Sequence, residues 1–122
     1  MRNQSLYFNT DADPRIFLYF SGAIRQILSQ IPKNVLFELE EIRLRPLRPL
    51  IICSSGQDFF IKSDGSITKY FHEAYRVTKD DINKTMQLIT KSSIYAMEDE
   101  IRNGYITLPG GHRVGVTGQA VL

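Results

Sequence analysis

"EEIRLRPLRPLIICSS", Glu40 to Ser55, is the stretch where the chain changes period. Ile42 and Leu44 alternate with Glu41, Arg43 and Arg45, so apolar side chains fall on one face and charged ones on the other. That alternation predicts a strand with one wet face. Pro46 and Pro49 then interrupt it, because neither can donate to a ladder. "LIICSS" resumes as a strand buried on both faces. Upstream the spacing is helical. Asp13-Pro14 is a helix start, a capping acid before a proline whose missing N–H is not needed there. Phe17, Phe20, Ile24, Ile27, Leu28 and Ile31 follow at intervals of three and four, a single buried stripe. Pro32 ends that helix and opens a shorter one, "PKNVLFELE".

Downstream, "SSGQ" turns the chain into "DFFIK", and the Asp-Gly of "SDGS" marks a hairpin into "ITKYF". A helix begins at Thr78, where Thr78 and Asp81 have capping-box spacing, with Asp in place of the usual Glu or Gln. Ile82, Met86 and Ile89 form its buried stripe. A second helix, capped by serine, places Ile94, Met97 and Ile101 inward and stops at Asn103-Gly104. "YITL", the "PGG" turn and "HRVGVTGQAVL" close as a hairpin. Segregated runs of helices and strands predict an α+β domain: a mostly antiparallel sheet of short strands and hairpins, with helices packed on one face. At 122 residues one domain is expected, residues 1–122, with a polar lead-in over 1–13.

Composition narrows the function. Hydrophobic residues make up 43% and charged residues 23%, too apolar for disorder. A net charge of +2 is too small to argue for nucleic acid unless it clusters. No stretch approaches the roughly 18 to 20 apolar residues of a membrane span. The first residues lack the apolar centre of a signal peptide, so the protein reads as cytoplasmic. Cys53 is the one cysteine and reads as a buried, inert thiol in a reducing compartment.

The glycine-rich end, "LPGGHRVGVTGQAVL", invites comparison with phosphate-binding loops. Such a loop needs G-x-x-x-x-G-K-[ST] leading into a helix, and here no glycine is followed by lysine. Gly110 and Gly111 read as a hairpin turn, whereas Gly115 and Gly118 sit inside a strand, where glycine often marks close approach of a backbone or ligand. Arg43, Arg45 and Arg48 are the dense basic cluster, joined later by Arg113. Two forks on one strand face could meet a phosphate or carboxylate; equally, Glu40 and Glu41 could neutralise a solvated face. No aromatic residue interleaves them, which counts against a single-stranded nucleic-acid platform. The run Glu98, Asp99, Glu100 reads as a solvated helix face, with Glu98 and Arg102 as an i, i+4 pair. His72 and His112 lack partners at metal-ligand spacing, so no metal site is expected. No catalytic residue is identified in the chain itself.

"EEIRLRPLRPL", the hairpins after it and "VTKDDINKTMQLITKSSIYAMEDEIRNGYITLPGGHRVGVTGQAVL" together resemble the N-terminal domain of the stage III sporulation protein AA family. The specific part is "IYAMEDEIRNGYITLPGGHRVGVTGQAV", and the resemblance covers roughly residues 24 to 122. It implies a fold like the N-terminal domain of secretion ATPases, with residues 14–122 as an assembly domain. The RecA-like ATPase domain expected to follow is absent, so this chain is either an excised domain or a truncation. The resemblance further implies a mother-cell protein, peripheral to the membrane channel complex that links mother cell and forespore. The parent would be a ring, a hexamer in related motors, using ATP and Mg, with no cofactor in this chain. Partners would be the missing ATPase domain, neighbouring subunits and the channel complex, and no nucleic acid. Arginines of this domain type reach toward nucleotide phosphate in related motors. Arg43 and Arg45 lie in the matching "EIRLR", and Arg113 in the matching "GGHRVG". Arg43, Arg45, Arg48 and Arg113 are therefore the nucleotide-proximal or interface candidates. Gly110, Gly111, His112, Gly115 and Gly118 are the turn and interface candidates. The alternative is a stand-alone α+β module that binds a small acidic ligand or peptide through Arg43, Arg45 and Arg48. On the interface reading, the face around Arg43, Arg45 and the "PGGHR" turn is expected to be exposed.

Overall fold

The computed structural model describes residues 3–92 and 102–119, and its first strand is the stretch expected to be a polar lead-in. Asn3–Asn9 (β1) buries Leu6 and Phe8 completely while Tyr7 between them stays half-buried and Asn9 is exposed. Two large apolar side chains on one face suffice to draw the strand into the sheet. The lead-in is corrected to a strand.

The remaining strands are Leu39–Leu44 (β2), Ile51–Ser54 (β3), Gln57–Ile61 (β4), Ile67–Thr68 (β5), Tyr105–Thr107 (β6) and Arg113–Gln119 (β7). They form one seven-stranded antiparallel sheet in the order β5-β4-β3-β2-β1-β7-β6. The meander β2 to β5 and the hairpin β6–β7 are both legible in the turn residues. What joins them is β1, between β2 and β7. Its register sets Leu6 opposite Leu44 and Val116, and Phe8 opposite Ile42 and Val114, so the apolar residues run in rows across the sheet.

The stripe expected as one helix from Pro14 to Ile31 is two pieces, a 3-10 helix Pro14–Tyr19 and α1, Gly22–Ser29. Asp13 caps the first piece as read, accepting from the Arg15 N–H at 3.0 Å. Between the pieces Phe20 and Ser21 are extended, and Ser21 Oγ caps α1 by accepting from the Ile24 N–H. A Ser-Gly pair supplies a new cap there, which ends the first helix. The short α2 is Lys33–Leu36, and Lys79–Ser92 is α3. At its start the capping box is complete. Asp81 N–H donates to Thr78 Oγ1 at 2.9 Å, and Thr78 N–H donates to Asp81 Oδ2 at 3.0 Å.

One buried cluster joins Leu6, Phe8, Ile42, Ile52 and Val114 from the strands to Ile16, Phe20, Ile24, Leu28, Ile82 and Ile89 from the helices. The rings of Phe8 and Phe20 lie 4.2 Å apart between centroids, across the two layers. Every strand residue in that cluster points the same way, so the helices cover one face, and the fold is α+β as expected. The expected serine-capped helix with Ile94, Met97 and Ile101, and the acidic run Glu98 to Glu100, fall on residues 93–101, outside the described residues.

Candidate functional site

The sheet's other face lies opposite the core helices, among the described residues, and carries four of the residues singled out in the sequence, Arg43, Arg45, Arg113 and Gly115, together with a buried Ile51. Two rows cross it. Tyr105, Gly115, Tyr7, Arg43, Ile51 and Phe60 are successive register partners from β6 to β4. Beside them run Thr107, Arg113, Asn9, Glu41, Cys53 and Asp58. Arg43 and Arg113 thus share a face but stand two strands and one pleat apart, about 12 Å at the backbone.

Arg43 is already occupied. Its Nε donates to Glu41 Oε1, and its Nη1 and Nη2 donate to Asp58 at 3.0 and 3.3 Å. The Glu41 bond, and after it the Asp58 pair, hold its pKa above the ordinary value against the opposing effect of burial. Of the two acids expected to neutralise this face, Glu41 does so. Glu40 instead accepts from the Gly56 N–H at 2.6 Å, in the β3–β4 turn. Asp58 was not legible, because only the pairing of β3 with β4 brings it beside β2.

Arg113 is exposed and stacks over the Tyr105 ring, 4.2 Å from guanidinium carbon to centroid. A cation on an aromatic face keeps its hydrogen-bond donors for something else. Arg45 follows β2 on the same face, half-buried, with an enclosed Nε that donates to no described partner. Arg48 is exposed in the turn that follows.

The "PGGHR" turn is not the wholly exposed feature expected. Gly110 and Gly111 are exposed with positive φ at the tip, but His112 is only 4% exposed. Its ring folds back toward the first helix cap, Nε2 lying 3.4 Å from Asp13 Oδ2 and Nδ1 3.9 Å from Asp11 Oδ1. A Cβ on Gly110 would come within 3.3 Å of this ring, so the glycine makes room for it. His112 therefore anchors the turn rather than displaying it. Gly115 lies between Tyr105 and Tyr7, and Gly118 is exposed opposite Gln4, with φ +113°.

One buried polar group has several partners that sequence reasoning did not assemble. Asp81 accepts from Ser21 Oγ at 3.2 Å and Tyr75 Oη at 2.6 Å, besides the Thr78 N–H, which ties α3 to the start of α1. Its capping-box position was the available signal; Ser21 and Tyr75 are distant in sequence. A carboxylate so fully bonded is structural. Among the described residues no group of His, Cys, Asp and Glu could hold a metal ion. Among them, too, no helix is long and apolar enough to cross a membrane. Chemically the outer face offers cations and aromatic rings for contact.

The family described as "Sporulation stage III, protein AA" matches residues 10–122. A relative from Bacillus subtilis (strain 168), named "Stage III sporulation protein AA", is 30% identical over 99 residues, which is 81% of this chain. The matched stretch is 28% of that relative's length, so the chain spans little more than a quarter of it. No solved structure matches.

Proposed function

The chain belongs to the sporulation stage III protein AA family, and from this premise we propose that it is the non-catalytic N-terminal assembly domain of a secretion-type ATPase. The parent acts as a ring motor at the mother cell–forespore channel, in the mother-cell cytoplasm against the membrane complex. This domain packs against the ATPase half of a neighbouring subunit, and ATP and Mg belong to that half. The supporting observation is the outer sheet face, which the core helices among the described residues leave uncovered. Helices cover one side of the sheet, while the other presents Tyr7, Phe60 and Tyr105 among charged residues. A relative more than three times the length of the matched stretch has the remaining chain to supply a cover.

Within that reading Arg113 is the residue best placed to approach phosphate. It is exposed, held by Tyr105, and forms no ion pair with a described carboxylate. Arg43, bonded to Glu41 and Asp58, stabilises the sheet instead. An arginine delivered from a neighbour neutralises charge that develops on a transferred phosphoryl group, and in GTPases such a residue is worth about 10³–10⁵ in turnover. Arg113→Ala in the full-length parent is expected to cut ATP turnover at least about tenfold with ring assembly intact. Unchanged turnover in an intact ring removes Arg113 from the role. An intact parent that neither forms a ring nor hydrolyses ATP removes the assembly reading as a whole.

A further inference from the structure

The break between β2 and β3 is a tight turn with an unusual corner. Arg48 N–H donates to the Arg45 carbonyl at 3.1 Å, with Pro46 and Leu47 between them and Leu47 at φ +61°. Proline followed by a positive φ is the type II arrangement, whose second corner ordinarily takes glycine. A leucine there costs about 1–2 kcal/mol. Burial does not compensate, because the Leu47 side chain is 53% exposed. Strain kept in order to display an apolar side chain points to contact with something outside the chain.

Three arginines surround that leucine. Arg45 and Arg48 are the first and last residues of the turn, with Cα atoms within about 7 Å. The segment 75–77 is zipped onto it: Leu47 N–H to Val77 O at 2.7 Å, Val77 N–H to Arg48 O at 2.9 Å, and Leu50 N–H to Tyr75 O at 2.8 Å. These bonds set Pro49 opposite Arg76 in an antiparallel bridge, about 4.5 Å between Cα atoms. Arg76 is thereby added to a cluster from which Arg43 is withdrawn. Arg45, Arg48 and Arg76 form no ion pair with any described carboxylate, and Arg45 Nε is enclosed without a partner. The exposed guanidinium forks of Arg48 and Arg76, and the outward end of the half-buried Arg45, call for carboxylate or phosphate oxygens. Leu47 and the two prolines decide between them. A nucleic-acid backbone has no use for an exposed leucine, and no exposed aromatic ring stands among these residues for a base to stack on.

We propose that the Arg45–Arg48 turn, with Arg76, is a docking site for an acidic segment of another polypeptide, whose carboxylates meet the arginines while an apolar side chain rests on Leu47. The site goes beyond the assembly reading and depends on neither Arg113 nor ATP. The test is to pan a displayed library of random 12-residue peptides on the chain. Enrichment of Asp and Glu flanking Leu, Ile, Met or Phe is expected. The selected peptide should bind about tenfold more weakly to the Arg48→Ala/Arg76→Ala variant and to Leu47→Gly. Leu47→Gly relieves the strained corner, so its urea midpoint stays level or rises, which separates lost docking from lost folding. Selected peptides without acidic excess, or binding unchanged in either variant, would overturn the proposal. So would a single-stranded oligonucleotide or phosphatidylserine vesicles bound more tightly through the same arginines.

Discussion

Gly65 and Gly115 show how far a single residue's meaning depends on its surroundings. At Gly65 a Cβ would lie 2.6 Å from Gln30 Cβ and 2.7 Å from its carbonyl carbon, and φ is +85°. Both the close approach and the backbone demand glycine. Gly65→Ala is expected to destabilise by about 3 kcal/mol or more, combining overpacking with a left-handed alanine. At Gly115 the same atom would meet Tyr7 at 3.7 Å, an ordinary contact. Gly115→Ala should stay within about 0.5–1 kcal/mol of the parent chain, since alanine suits a strand better than glycine. Urea denaturation of the two variants checks both, and equal losses would contradict the contrast. Tyr75 makes a pH-dependent case. Burial first, then its bond to Asp81, raise its pKa above the ordinary 10.0. A raised pKa adds stability that is fully present below pH 10 and is lost as pH climbs toward the folded value. Tyr75→Phe, which has no proton to lose, should cost about 1 kcal/mol at pH 8. The gap from the parent should narrow between pH 10 and 12. A gap that widens there means the phenol ionises more readily in the folded chain.

At the level of elements, local chemistry was legible and long-range placement was not. Asp13, the Thr78–Asp81 box, the Asp-Gly hairpin and the "PGG" turn all declare themselves within four residues, and each is found where its residues stand. The alternating face of β2 was equally plain. The strand β1 was missed because it has only two inward residues, Leu6 and Phe8, and its partners lie some 35 and 110 positions away. The site shows the same division. Glu41 beside Arg43 could be read directly, whereas Asp58 and Arg76 reach their neighbours only through strand pairing. The family match begins at residue 10, so the central strand lies ahead of it. Deleting residues 1–9 is therefore an informative cut. A lead-in could be removed without effect; a central strand could not. The shortened chain is expected to lose cooperative thermal unfolding and native amide dispersion, because β2 and β7 lose their common neighbour and two fully buried side chains go with it. A truncated chain that melts as the parent does would show that the sheet closes without β1.

For the whole molecule the decisive feature is asymmetry: among the described residues the core helices pack on one side of the sheet, while the other side holds half-buried and exposed residues around a buried Ile51. The chain carries its own reporter for that other side. Cys53 sits half-buried in the outer row between Glu41 and Asp58, and it is the single cysteine. Burial, with the Glu40 charge behind it, pushes its thiol pKa up, so little thiolate forms at neutral pH and labelling by a maleimide is slow but open to solvent. If the remainder of a full-length parent covers this face, the same sulfur becomes enclosed. Labelling of Cys53 at pH 8 should then be about tenfold slower in the assembled parent, with its other cysteines replaced, than in the 122-residue chain. Raising the pH scales both rates through the thiolate fraction and leaves their ratio unchanged if access is what differs. Equal rates in the 122-residue chain and a full-length parent would mean that the outer face stays uncovered in the parent, and the packing surface would then have to be sought on the helical side.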